Sequence, residues 1–250
     1  MPKQSLSTEQ AIRYNRQIVL PDFDLDKQET LLNAKVLIIG VGGLGCAAAQ
    51  YLVAAGVGEL TLIDDDHVDK SNLQRQVLHG EADIGLSKCE SAKASLRLLN
   101  SKVKIQTIQK RLTLDEYREL LQAIDIVLDC TDNLVSRNIL NHACYESNTP
   151  LVSGAAIRME GQLISVVPSQ NSACYGCLSA YFGEQNLSCV ESGVMSPVVG
   201  IIGSMQALEA IKIICEYGQI SANKLMMFDA LTSQWQTFKI PKNPNCEVCR

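Results

Sequence analysis

A glycine-rich segment, Gly40-Val-Gly-Gly-Leu-Gly45, opens the part of the sequence best suited to chemistry. It lies between an apolar run, Lys35–Gly40, and the Ala- and Leu-rich run Leu44–Ala55, so a strand, a turn and a helix are predicted. This glycine spacing gives a tight turn, a close approach of backbone to phosphate, and helix N–H groups that attract the anion. Asp64 stands where an acidic side chain accepts ribose hydroxyls. The segment predicts a nucleotide site; NAD or FAD, or a turn without a ligand, are the alternatives.

A polar segment with two cations follows: Ser71-Asn-Leu-Gln-Arg-Gln76, with Lys88 beyond it. The guanidinium of Arg75 can hold phosphate oxygens in a bidentate fork, and Lys88 supplies a compact point charge. Asn72 and Gln74 can orient phosphate or ribose. Because a dehydrogenase needs no such cations beside the phosphates, the segment favours phosphate chemistry over hydride transfer. For any single residue here, a polar surface loop is the alternative interpretation.

A third polar segment, Asp129-Cys-Thr-Asp-Asn133, ends an apolar run, Ile124–Asp129, that predicts a buried strand. Open parallel sheets bind ligands at the carboxyl ends of their strands. A carboxylate there, that of Asp132, can hold Mg²⁺ against ATP phosphates. Asp and Asn are equally favoured as helix caps, and position alone does not decide between the two roles.

Four of the ten cysteines form two C-x-x-C pairs, Cys174/Cys177 and Cys246/Cys249. Four thiolates suit a closed tetrahedral Zn²⁺ site, which is structural because no position stays open for water. The long gap between the pairs does not require one shared metal, yet a pair near the chain end would fasten the tail. A redox pair favours a helix amino-terminus after a strand, which the sequence does not clearly predict at either pair. Zinc is therefore the preferred interpretation.

Cys189 is separate from these pairs, in a segment without apolar periodicity, Leu187–Gly193. A thiol there can act as a nucleophile in thioester or persulfide chemistry. No histidine is close in sequence, so an inert loop cysteine is at least as good an interpretation.

The elements that must position these residues alternate along the first 153 positions. Strands are predicted at Lys35–Gly40, Glu59–Asp64, Val103–Gln109, Ile124–Asp129 and Pro150–Ser153, and helices at Leu44–Ala55, Lys88–Asn100, Asp115–Ala123 and Leu134–Ser147. Such alternation predicts an α/β fold with a Rossmann-like, mostly parallel sheet and helices on both faces.

After Gly154 the pattern changes. An antiparallel strand is expected at Gly161–Pro168, a long helix at Pro197–Tyr217 and a hairpin within Leu225–Ile240. We therefore predict a single domain over residues 1–250. It has an N-terminal helical arm (1–33) and an antiparallel, zinc-binding C-terminal extension (154–250).

Composition narrows the class of protein. With 46% hydrophobic and 20% charged residues in 250, the chain can bury a substantial core. A net charge of −5 argues against nucleic acid or an anionic membrane as the main partner. The first ten residues lack the apolar core of a signal peptide, and Pro197–Cys215 carries Gln206, Glu209 and Lys212. A cytoplasmic location, with reduced cysteines, is expected.

Taken together, these residues resemble the adenylyltransferases that activate ubiquitin-like sulfur carriers, the MoeB/ThiF/HesA group related to ubiquitin-activating enzymes. The resemblance runs over essentially the whole chain. It rests on the three polar segments, both cysteine pairs, and the segments 13–17, 152–158 and 193–197. The details at 158–161, 189–195 and 243–249 resemble the molybdopterin-synthase branch more than the thiazole-pathway branch.

The resemblance implies a homodimer that uses ATP and Mg²⁺ to activate a small MoaD-like β-grasp protein ending in Gly-Gly. The terminal carboxylate attacks the α-phosphorus, giving an acyl-adenylate and pyrophosphate. The implied nucleotide-site residues are Gly43, Asp64, Ser71, Asn72, Leu73, Gln74, Arg75, Lys88, Cys130, Thr131, Asp132 and Asn133. Among these, Arg75, Lys88 and Asp132 are the implied catalytic residues, joined by Arg16 as an arginine finger from the other subunit. A carboxylate nucleophile needs no base, so the lack of an obvious histidine is no objection.

Other functions remain as alternatives. A thiazole-pathway (ThiS) adenylyltransferase is the nearest, followed by an NAD-dependent oxidoreductase supported only by the glycine segment. A non-catalytic scaffold for a ubiquitin-like protein is a third. Some relatives carry a sulfur-delivering rhodanese domain after this core; this chain ends at Arg250, so adenylation alone is expected. In relatives, the loop of Cys189 carries a thioester cysteine, but enzymes of the molybdopterin-synthase branch are not thought to depend on it.

Overall fold

A computed structural model of the chain describes residues 4–182 and 193–250. These residues form one eight-stranded sheet. Its strands are β1 (Lys35–Ile39), β2 (Glu59–Ile63), β3 (Lys104–Ile108), β4 (Ile126–Asp129), β5 (Leu151–Ile157), β6 (Glu160–Val166), β7 (Lys224–Asp229) and β8 (Gln234–Lys239). They lie in the order β3-β2-β1-β4-β5-β6-β7-β8.

The first five strands are parallel and form the half of the sheet that the alternating pattern predicts. Both faces of β1 and β4 are covered, and Val36, Leu37 and Ile38 are fully buried. A strand buried on both faces needs apolar side chains at every position, which explains the uninterrupted apolar runs.

Helices cover both faces of the sheet. They are α1 (Thr8–Arg13), α2 (Asn15–Ile18), α3 (Asp24–Asn33), α4 (Gly43–Ala55), α5 (Lys88–Leu99), α6 (Leu114–Leu121), α7 (Leu134–Glu146), α8 (Tyr175–Phe182) and α9 (Ser196–Cys215). One core lies between the sheet and α3, α4, α5 and α9. The other lies between the sheet and α6, α7, α8 and the two cysteine pairs. The predicted fold class is confirmed.

Strand β5 joins the two halves of the sheet, because it is parallel to β4 and antiparallel to β6. We predicted a short strand ending at Ser153, but β5 continues to Ile157 and pairs antiparallel with β6. Gly154 is buried in the strand and does not end it. The chain reverses at Arg158, whose φ is +54°. Strands β7 and β8 then form the predicted hairpin at the sheet edge.

Helix α9 is, among the described residues, the one helix long and apolar enough to cross a membrane. Half of its apolar window is buried, and it packs against α4 and the sheet. Packing in the core accounts for this composition.

Candidate functional site

The glycine segment forms the turn between β1 and α4. Gly40 has φ of +88°, and a Cβ there would lie 2.7 Å from the carbonyl oxygen of Cys130. A Cβ at Gly45 would lie 1.9 Å from the carbonyl oxygen of Gly40. Two of the three glycines are therefore required by the turn itself. The third, Gly42, has only the side chain of Gln76 within 4 Å of such a Cβ, so its backbone is open to the cleft.

Asp64, just after β2, anchors this turn. One carboxylate oxygen accepts the N–H of Val41 at 2.7 Å, and the other accepts the N–H of Asp66 at 2.9 Å. The carboxylate lines the same cleft as the glycines, which is compatible with a ribose contact. Its position is determined by these backbone bonds before any ligand binds.

The two predicted cations reach the cleft from different elements. Arg75 lies beyond a short 3₁₀ turn, Lys70–Asn72, and donates from Nη1 to the carbonyl of Ser71 at 3.2 Å. Lys88 is the first residue of α5 and is buried, and its ammonium lies 2.8 Å from the carboxylate of Asp66. Phosphate would thus meet a cation held by a neighbouring acid.

The acidic segment after β4 is ordered by the buried carboxylate of Asp129. It accepts the backbone N–H of Thr131 at 3.0 Å, the hydroxyl of Thr131 at 2.7 Å and the hydroxyl of Ser153 at 2.6 Å. Asn133 caps α7 by accepting the N–H of Ser136 at 2.9 Å. Asp132 is exposed, and within the described residues its carboxylate has no hydrogen bond or ion pair. Asn133, not Asp132, therefore takes the capping role that the sequence left open.

Arg137 is a buried residue of this site that sequence reasoning missed. It donates to the hydroxyl of Ser153 at 3.2 Å, to the carbonyl of Gly154 at 2.8 Å and to the carbonyl of Thr131. Burial lowers the pKa of Arg137, but the charge of Asp129 and the neighbouring Tyr175 together outweigh it, so the net pKa is raised. The sequence shows a cation four residues after Asn133 on a predicted helix, which could have suggested a role at the site. Nothing in the neighbouring sequence, however, indicates that Arg137 is buried.

These segments surround a cleft of about 620 Å³ at the carboxyl end of the parallel strands. It is lined by many of the predicted residues: Gly40, Gly42, Gly43, Asp64, Asn72, Arg75, Lys88, Cys130, Thr131, Asp132 and Asn133. Ser71, Leu73 and Gln74 are not in its lining; Ser71 is exposed and donates to Asp69. The sequence predicts a set of nucleotide-site residues, and the structure brings most of them, but not all, to one cavity.

Gln76, Lys110 and Arg111 are among the further polar residues that line the cleft. Gln76 is buried, and its Oε1 has no hydrogen-bond partner among the described residues. Lys110 and Arg111 follow β3, and Arg111 Nε lies 3.0 Å from a carboxylate oxygen of Asp65. Both residues follow a predicted parallel strand, and open parallel sheets bind ligands at the carboxyl ends of their strands, so the sequence could have suggested them.

Arg16 does not lie in this lining. It is an exposed residue of the four-residue helix α2. A contribution to this cleft would therefore have to come from a second copy of the chain, as the resemblance implies.

The two cysteine pairs meet although 72 positions separate them. The Sγ atoms of Cys174 and Cys246 lie 3.5 Å apart, and those of Cys177 and Cys249 lie 3.3 Å apart. All four Sγ atoms lie within 4.8 Å of one another. Sulfur ligands at about 2.3 Å from Zn²⁺ are separated by roughly 3.8 Å in a tetrahedron, so the four thiols fit that ion.

The surroundings of these cysteines correct one expectation. The first pair does stand at a helix amino-terminus, because α8 begins at Tyr175. Burial raises the pKa of Cys246, but hydrogen bonds from the N–H groups of Cys249 and Val248 outweigh it and lower this pKa to about 7. Cys189 lies outside the described residues.

Comparison with known proteins gives one family, two similar proteins and one similar solved structure. The ThiF family matches residues 14–248. A molybdopterin-synthase adenylyltransferase of Salmonella typhimurium is 52% identical over 244 residues, which is 98% of each chain. An adenylyltransferase and sulfurtransferase MOCS3 of Drosophila persimilis is 44% identical over 251 residues, covering 99% of this chain and 55% of that protein. Among solved structures, Escherichia coli MccB with ATP has a TM-score of 0.76 at 28% identity, over 90% of this chain and 69% of the other.

Proposed function

The chain belongs to the ThiF family, and from that premise we propose that it adenylates the C-terminal glycine of a ubiquitin-like sulfur carrier. ATP is the second substrate and pyrophosphate the product. Relatives of 50–52% identity over nearly their whole length are molybdopterin-synthase adenylyltransferases, so the carrier we propose is MoaD, the small subunit of molybdopterin synthase. The observation that carries the proposal is one cleft holding the glycine turn, Arg75, Lys88 and Asp132.

The cations suit this chemistry. A carboxylate that attacks a phosphate brings one anion to another, so positive charge must offset the charge that develops. Arg75 and Lys88 enter the cleft from separate elements. The backbone of Gly42 and Gly43, at the start of α4, offers N–H groups to the same phosphates. Gln76 Oε1 can accept a hydrogen bond from a ribose hydroxyl or a metal-bound water.

Mg²⁺ fits the acidic side of the cleft. The exposed carboxylate of Asp132 is an oxygen ligand of the kind that Mg²⁺ prefers, and it forms no hydrogen bond or ion pair with the described residues. When bound there, Mg²⁺ would neutralise phosphate charge. Asp132 lines the same cleft as the two cations.

We extend the proposal to assembly and to zinc. A homodimer is supported by the exposed position of Arg16 outside the cleft. A structural Zn²⁺ is supported by the four converging thiols, with about one ion per chain expected from metal analysis. The nine described cysteines are unbridged, which supports a cytoplasmic location.

ATP–pyrophosphate exchange tests the function. With MoaD-type and ThiS-type carriers run side by side, exchange is expected with the MoaD-type carrier. Asp132→Ala should lower its rate by at least about a hundredfold because the cleft loses its metal ligand, while carrier binding in a pull-down stays unchanged. Asp115→Ala, which removes an exposed carboxylate of α6, is the matched control and should retain activity. Full exchange by Asp132→Ala, or exchange with the ThiS-type carrier alone, would contradict the proposal.

A further inference from the structure

The first cysteine pair contacts the helix that follows the acidic segment. Tyr175 stands between Cys174 and Cys177 and is buried, and its ring centroid lies 5.7 Å from the guanidinium carbon of Arg137. One turn further along α7, the buried Asn141 accepts the N–H of Tyr175 at 2.8 Å. The cysteine pair is thus joined to α7 at two positions that lie on one face of the helix.

Arg137 in turn holds the acidic segment. It donates to the carbonyl of Thr131, which belongs to the peptide leading into Asp132, and to the carbonyl of Gly154 at 2.8 Å. Because both acceptors are backbone carbonyls, these bonds determine the path of the chain beside the cleft. Asp129 completes the arrangement from within the sheet, by accepting the N–H and the hydroxyl of Thr131.

We propose that Arg137 is a positioning residue for Asp132, and that Tyr175 couples the order of the four-cysteine cluster to it. The cluster would then set the rate of adenylate formation in addition to fastening the tail. The effect on rate rests on the proposed function, whereas the coupling itself does not.

The physical basis is a chain of contacts between buried residues, from Tyr175 through Arg137 to the carbonyl of Thr131. Tyr175 is flanked by two metal-ligating candidates, so a cluster with all four thiols engaged would restrain its backbone on both sides. The ring then limits where the guanidinium can lie, and a guanidinium over an aromatic face is attracted to it. A displacement of about 1 Å in a catalytic group can cost on the order of a hundredfold in rate.

Tyr175→Leu is the informative variant. Arg137→Ala would leave the buried carboxylate of Asp129 without its cation and is expected to compromise folding. Tyr175→Leu removes the ring and its hydroxyl, whereas Tyr175→Phe removes the hydroxyl alone and keeps the ring. Tyr145→Leu is the matched control, because Tyr145 also lies on α7 and faces a cation, Lys242, at 5.7 Å, with no link to the acidic segment.

Three measurements are made on the full chain: metal content, ATP–pyrophosphate exchange at varied ATP, and amide hydrogen exchange of peptides covering residues 129–136. In Tyr175→Leu we expect kcat to fall by about tenfold, KM for ATP to stay within about twofold, and metal content to be unchanged. Hydrogen exchange at 129–136 should be about tenfold faster. The kcat of Tyr175→Phe should stay within about threefold of the parent's. Tyr145→Leu should match the parent in all three measurements.

Three results would overturn the proposal. The first is unchanged kcat and unchanged hydrogen exchange in Tyr175→Leu. The second is an equal loss in Tyr145→Leu, and the third is a loss in Tyr175→Leu that accompanies loss of metal, since these two indicate a general structural role. If the parent chain itself catalyses no exchange with any Gly-Gly carrier, the proposed function fails. Hydrogen exchange in the ATP-free protein then still decides the coupling.

Discussion

At the scale of single residues, the polar groups of the cleft are held by one another and differ in how free they are to meet a ligand. The ammonium of Lys88 lies 2.8 Å from Asp66, so phosphate must share or displace that carboxylate. The side chain of Arg75 has, within the described residues, only the hydrogen bond from Nη1 to the carbonyl of Ser71. Most of its guanidinium N–H groups therefore stay available, and Arg75 is the cation best placed to hold phosphate.

Replacing Arg75 tests this difference. Arg75→Ala should lower kcat/KM for ATP–pyrophosphate exchange by about a hundredfold, because a donor aimed at developing charge is lost. Arg75→Lys should recover only part of that loss, since an ammonium lacks the bidentate fork. Lys70→Ala removes an exposed cation of the same turn that does not line the cleft, and it should stay within about twofold of the parent. Equal losses at positions 70 and 75 would show that only net charge matters.

At the scale of elements, α9 packs closely against α4, the helix that follows the glycine turn at 40–45. A Cβ at Gly203 would lie 2.3 Å from the carbonyl oxygen of Leu44 and 3.0 Å from the Cβ of Ala47. Leu44 is in the first turn of α4 and lines the cleft. The backbones can approach this closely only because position 203 has no side chain, so α9 supports the glycine turn at 40–45.

Two alanine substitutions on α9 separate this packing from helix propensity. Gly203→Ala should destabilise the fold by about 1–3 kcal/mol, because the added methyl group meets backbone that cannot yield. Gly200→Ala meets nothing within 4 Å and should be neutral or stabilise by about 0.5–1 kcal/mol. Chemical denaturation midpoints measure both. Similar midpoints for the two variants would mean that α9 moves freely relative to α4.

At the scale of the whole molecule, the cleft and Arg16 belong to different surfaces. The cleft lies at the carboxyl edge of the parallel strands, while Arg16 lies on the exposed helix α2. If Arg16 stabilises charge at this cleft, it must therefore do so from a second subunit. Closed two-fold symmetry would then give two equivalent sites per dimer.

Mixed dimers test action between subunits. Arg16→Ala and Asp132→Ala are each expected to be inactive. When equal amounts are unfolded together and refolded, half of the dimers are hybrids, and each hybrid has one intact site of two. Exchange activity should therefore return to about a quarter of the parent's. No recovery, with hybrids verified by distinguishable tags, would show that Arg16 does not act between subunits.

Local patterns were enough to predict most elements of the parallel half of this protein. The alternation of apolar runs predicts the parallel strands β1 to β4 and their helices, because strand and helix periods are properties of short segments. The glycine spacing predicts the turn at 40–45, and the doublet of C-x-x-C pairs predicts a site for four thiolates.

Contacts between distant segments were decided only by the tertiary structure. The order of the sheet brings Lys110 and Arg111 to the cleft, buries Arg137 beside Asp129, and carries Cys246 to within 3.5 Å of Cys174. The same packing keeps β5 in the sheet beyond Gly154, where a glycine predicted its end. Burial and pairing depend on which elements become neighbours. That choice minimises the free energy of the whole chain and is not encoded in any single segment.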